Sequence, residues 1–116
     1  MNYLIVEALR RFHTYYGDDF LVEYPTGSGA QCTLSAVADA LEDRLIALFA
    51  RDAQGRRPAL GEAAALSAPG AEEALLFHEF FDGDTGRGLG ASHQTGWTAL
   101  ILNLLRDRAR SRAARP

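Results

Sequence analysis

Sulfur and amines are scarce in this chain. Cys32 is the only cysteine among 116 residues, so neither a disulfide framework nor a thiolate metal site can be built within it. There is no lysine. All 12 basic residues are arginine, which reflects codon bias more than chemistry. They are outnumbered by 15 acidic residues, and the formal net charge of −3 argues against a dedicated nucleic-acid binder. No apolar run approaches the roughly 18–20 residues that span a bilayer. The opening MNYLIVEALRRFH lacks a basic leader and a small-residue cleavage site, and Glu7 and Arg10 interrupt its apolar residues. It does not read as a signal peptide. The expectation is therefore a cytoplasmic protein that binds neither nucleic acid nor membrane.

What is present is one domain's worth of globular sequence, 47% apolar and 23% charged. The coarse reading is helical. From Tyr3 to about Tyr16, apolar residues recur at Leu4, Ile5, Ala8, Leu9 and Phe12, a stripe of helical period. Gly17, Asp18 and Asp19 stop it. Phe20 to Tyr24 could form a short extended piece, and Pro25, Gly27 and Gly29 then force a loop. Thr33 reads as the N-cap of a second helix running to about Arg51, with Leu34, Val37, Ala38, Leu41, Leu45, Leu48 and Phe49 on one side. Gly55 and Pro58 close that segment. Residues 59–71 are rich in Ala with Gly, Ser and Pro, and read as a loop or short helix. A third helix is expected from about Gly96 through Arg108, with a basic tail over residues 106–116. That tail lacks the interleaved aromatics of a nucleic-acid surface and reads as a solvated helix end.

The chemistry concentrates between Leu75 and Leu100, in LLFHEFFDGDTGRGLGASHQTGWTAL. Glu79 stands among Phe77, His78, Phe80 and Phe81. A carboxylate held against that much ring surface should lose water and gain affinity for a proton. His93, Gln94 and Trp97 follow closely. Polar tips beside flat apolar faces suit a carbohydrate, which shows hydroxyls at its edge and C–H groups on its face. On the residues alone, a plain structural role stays open: Glu79 paired with Arg87, and His93 and Gln94 capping the last helix.

Other motifs fail in this stretch. Asp82-Gly-Asp84-Thr-Gly86-Arg87 lacks the later oxygen ligands of a calcium loop. Gly86, Gly88 and Gly90 are not spaced as a phosphate cradle. His78-Glu79 has Asp82 where a zinc motif needs its second histidine. Ser28 in TGSG is no nucleophile elbow. Neither metal nor cofactor is expected.

FHEFFDGDTGRGLGASHQTGWTAL resembles the C-terminal signature of bacterial glycoside hydrolase family 63 proteins, including mannosylglycerate and glucosylglycerate hydrolase relatives. NYLIVEALRRFHTYYGDDF and the loop EYPTGSG with the following TL are similar to that group as well. The resemblance covers most of the chain outside residues 59–71. It implies an all-α fold: antiparallel helices forming part of an (α/α)6 toroid, incomplete in this chain, with residues 1–116 as the C-terminal segment of the catalytic domain. It also implies hydrolysis of α-glucosides or related α-glycosides with inversion. A carboxylic acid protonates the leaving oxygen while a second carboxylate takes a proton from the attacking water. Glu79 matches that second carboxylate, the general base. His78, His93, Gln94 and Trp97 would bind the carbohydrate substrate.

Two departures matter. Phe80 replaces a usual tyrosine and Asp82 a usual histidine. The family's general acid, an aspartate in a stretch like Ser-Gly-x-Asp-Asn-Ser, has no match here, nor has the Trp-Arg-Gly-Pro segment expected before Asn2. Each catalytic carboxyl contributes roughly 10²–10⁴-fold, so the isolated chain is expected to be inactive. The resemblance implies further chain upstream, onto which exposed apolar stripes would dock unless they self-associate. The alternatives are a non-catalytic helical interaction domain, binding a partner through its exposed apolar face, and a sugar-binding module without turnover.

Overall fold

The computed structural model describes residues 1–61, 75–93 and 96–113. The chain divides into two compact units, residues 1–44 and residues 45–116.

The first unit opens with helix α1, Asn2–Tyr16. Gly17 ends it at φ 76°, donating its N–H to the His13 carbonyl at 2.8 Å. A positive φ of this size suits glycine and closes the last turn. Strands β1 (Leu21–Glu23) and β2 (Gln31–Thr33) pair antiparallel, with Val22 opposite Cys32. The loop between them is tied by Tyr24 N–H to the Ala30 carbonyl at 3.0 Å, and by Gly29 N–H to the Glu23 carboxylate at 2.6 Å. Helix α2, Leu34–Phe49, follows β2 directly. Its cap is the one expected: Thr33 Oγ1 accepts the Ala36 N–H at 3.2 Å.

Val6, Leu34, Val37 and Ala38 are buried in this unit together with one charge, Glu42, at 2% exposure. A carboxylate so placed requires a partner. Arg10 supplies it: one guanidinium nitrogen donates to Glu42 and reaches Asp39 Oδ1 at 3.0 Å. Partial burial pulls the Arg10 pKa down, but the charges and hydrogen bonds of Glu42 and Asp39 outweigh it and raise the pKa above the ordinary arginine value.

In the second unit, the end of α2 is sealed when the Arg57 guanidinium donates to the Phe49 carbonyl, satisfying one of the helix's orphan acceptors. Between them, Asp52 Oδ1 accepts the amides of Gln54 and Arg56 at 2.9 and 2.8 Å. A 3₁₀ turn at Pro58–Leu60 follows. Strands β3 (Phe80–Phe81) and β4 (Gly88–Leu89) pair antiparallel, Phe80 opposite Leu89 and Phe81 opposite Gly88. Helix α3 spans Ile101–Ala113. Among the described residues of this unit, Phe49, Ala59, Ile101 and Leu104 are the buried apolar ones. The Phe49 ring meets Phe77 at 6.0 Å and Phe81 at 5.5 Å.

These findings correct the all-α expectation and, with it, the incomplete (α/α)6 toroid. Among the described residues, three α-helices and two small antiparallel sheets make a mixed helix-and-strand fold. The strands are two or three residues long, too short for alternation to register. The third helix begins at Ile101 rather than near Gly96, because Ile101, Leu102 and Asn103 bond to carbonyls three residues back, from Thr98 to Leu100. That is the tighter 3₁₀ geometry. Of the Ala-rich stretch, residues 62–71 lie outside the described residues. Among the described residues, no helix is long and apolar enough to cross a membrane.

Replacing Arg10 by Met leaves the Glu42 carboxylate buried without its cation. Removing one partner of a buried pair costs roughly 3–5 kcal/mol. With the Arg10 side chain 35% exposed, a loss of about 2–3 kcal/mol is expected in urea unfolding, with partial recovery in the Arg10→Met/Glu42→Met double variant.

Candidate functional site

The second unit gathers the sequence-predicted chemistry on one strip of chain. Asp82 to Arg87 turns the strip on itself. Asp82 Oδ1 accepts three donors from its own turn: the Thr85 N–H at 2.8 Å, the Thr85 hydroxyl at 2.7 Å and the Asp84 N–H at 3.1 Å. The Asp82 N–H donates to the Arg87 carbonyl at 2.9 Å, so β3 and β4 begin in register. This motif is an Asx turn closing a hairpin, and it explains why the same residues imitate a calcium loop. The Asp82 carboxyl sits below its usual pKa. The Thr85 amide is the main cause, followed by the Thr85 hydroxyl and the Asp84 amide; slight desolvation opposes them, and the Arg87 charge adds to the lowering.

Glycines make the pairing possible. A Cβ on Gly88 would collide with the His78 ring and stand 2.8 Å from the Ala59 carbonyl oxygen. One on Gly86 would meet Leu48 Cδ2 at 2.9 Å. On Gly90, at φ 72°, it would lie 2.7 Å from Glu79 Oε2 and 3.0 Å from Phe80 Cε1. The Glu79 carboxylate therefore lies directly over the bare Cα of Gly90.

Glu79 is fixed through its backbone. Its N–H donates to the Ala91 carbonyl at 2.9 Å, and its carbonyl accepts the Trp97 indole N–H at 3.1 Å. Its side chain is exposed, which corrects the expectation of a desolvated carboxylate. The rings counted around it in sequence point elsewhere: Phe77 and Phe81 go to Phe49, and His78 meets Phe81 edge-on at 6.4 Å. Phe80 and Trp97 stay open, 54% and 55% exposed. No ion pair joins Glu79 to Arg87, whose side chain runs along Gly61.

The other candidates separate. Trp97 joins Glu79 through the indole bond. His93 is exposed, bridges Phe77 in a parallel backbone pair, and lies 3.5 Å from Ser92 Oγ through Nε2. His78 is half-buried against Gly88, and its Nδ1 is buried with no hydrogen-bond partner among the described residues. It packs on the hairpin, over Gly88 and against Phe81. Gln94 falls outside the described residues. Sequence reasoning missed Gly90 as a seat for the carboxylate and Phe80 as an open ring. The alternating glycines of Gly86-Arg-Gly-Leu-Gly90, facing a run of bulky residues, were the available signal. Among the described residues, no group of three or more His, Cys, Asp or Glu side chains could hold a metal ion.

No family model matches the chain, and no solved structure matches it. Over 109 residues, 91% of the chain, it is 50% identical to an uncharacterized protein of Saccharomyces cerevisiae. Those residues are 10% of the yeast protein, so the chain spans about a tenth of the length of the relative it matches.

Two outcomes follow from this geometry. Since the folded Asp82 pKa lies below the unfolded value of about 3.9, the turn's contribution to stability is complete above that value and is lost as pH falls through the folded one. A carbon-detected NMR titration should place the Asp82 carboxyl midpoint below about 3.9; a midpoint at or above it contradicts the turn described. Gly88→Ala should destabilise the chain by roughly 1–3 kcal/mol through overpacking, read as a lower thermal midpoint.

Proposed function

We propose that this chain is part of an inverting α-glycosidase of the kind its sequence resembles, glycoside hydrolase family 63, and that Glu79 is the general base. The observation that carries this reading is the posture of Glu79. Its backbone is held at both ends, by Ala91 and by the indole of the open Trp97, while its exposed carboxylate, without an ionic partner among the described residues, shares the space over Gly90 with the open Phe80 ring. A general base needs a fixed carboxylate that a water can reach. A sugar needs a ring face to stack on and an acceptor for its hydroxyls. His93 stands on the neighbouring backbone as a further polar group. An exposed base suits a site completed by other chain, since the water-excluding walls and the acid must come from outside these residues. Alone, the chain is proposed to bind sugar weakly and turn none over.

Trp97 is the single tryptophan, so its fluorescence reports on this strip alone. Titrating the chain with an α-glucoside should change that emission, and Trp97→Phe should abolish the signal. Carried within a complete enzyme, the segment should release the sugar with inverted configuration, as followed by NMR. Glu79→Gln should then lower kcat about 10²–10⁴-fold. Turnover unaffected by Glu79→Gln removes Glu79 from the mechanism.

A further inference from the structure

Helix α1 turns its richer apolar face outward. Inside are Val6, fully buried, and the half-buried Leu9, Arg10 and His13. Outside, on one helix face, stand Leu4, Ile5, Phe12, Tyr15 and Tyr16, all exposed. Phe12 is 54% and Tyr15 82% exposed. The rings are already ordered against each other. Phe12 and Tyr16 stack at 6.2 Å, Tyr15 meets Tyr16 edge-on at 4.9 Å, and Tyr16 stacks on Phe20 at 4.8 Å. The ledge continues past the helix into exposed Leu21 on β1.

Surface helices keep one apolar stripe and bury it; a helix apolar on both sides belongs inside a larger body. A contiguous exposed patch of this kind marks an interaction surface. Rings that hold one another lose little freedom on binding, which favours association. The matching segment of the yeast relative lies in a polypeptide about ten times as long, which supplies an occupant that an isolated domain would not have.

We propose that the Phe12–Tyr15–Tyr16–Phe20 ledge is the docking face for an apolar surface of the remaining chain in a longer polypeptide of that kind. The occupant is more of the same protein rather than a second copy of this segment. This inference is independent of the sugar chemistry, and a binding measurement tests it whatever Glu79 does.

The experiment co-expresses this chain with the yeast relative lacking its matched segment. The expected product is a complex containing one of each, by size-exclusion chromatography with light scattering. The Phe12→Ser/Tyr16→Ser double variant should keep its helical circular dichroism and bind at least tenfold more weakly. If the shortened relative is insoluble by itself, the wild-type chain should restore its solubility and the double variant should not. Equal rescue by both chains, or by neither, overturns the proposal, as does a complex indifferent to the two substitutions. A stable homodimer weakened by the same substitutions gives the ledge to a second copy and also overturns it.

Discussion

Glu79 is gripped by its peptide groups and released at its side chain. The Ala91 carbonyl takes its N–H, and the Trp97 indole gives a proton to its carbonyl. These two bonds fix where the residue's backbone lies. The rest of the strip follows from that placement. Gly88 must be bare because the His78 ring and the Ala59 carbonyl leave no room for a side chain, and Gly90 holds a positive φ that favours glycine. Asp82 must bind its own turn, because otherwise β3 and β4 would lose their register. Holding the backbone leaves the exposed Glu79 side chain free to turn, so a ligand that used the carboxylate would still have to order it.

Part of this was legible in sequence. Helical period over long segments makes α1 and α2 visible, Gly17 marks the end of one, and Thr33 caps the other with the hydrogen bond its position called for. The strands were not legible. Phe80–Phe81 and Gly88–Leu89 carry no alternation to detect, and their pairing is written in the Asp82 side chain, which sequence logic compares first with metal loops. The exposure of Glu79 was hidden for a different reason. Nearby rings in sequence do not imply nearby rings in space, and Phe49, far upstream at the end of α2, draws Phe77 and Phe81 to itself. Trp97 meets Glu79 through its N–H, which donates to the backbone carbonyl, a contact the residue types alone did not show.

The first unit shows a complementary arrangement. Its inner side holds an ion pair, Arg10 with Glu42, where α1 also contributes Val6, while its outer side holds a stack of rings. Buried ion pairs add little net stability compared with apolar packing, and their best-attested role is in specifying register. In this unit the pair joins a helix whose apolar surface is largely directed away from it. An open carboxylate in one unit and an open ring ledge in the other both suit a segment completed by further chain. That agrees with a relative in which the same residues are a small share of the whole.

Amide hydrogen exchange tests most directly whether Glu79's backbone is locked while its carboxylate stays accessible. The Glu79 N–H and the Trp97 indole N–H should both exchange slowly and with the same opening free energy, since each depends on the closed strip. An indole N–H that exchanges as fast as in a free tryptophan peptide would contradict the account.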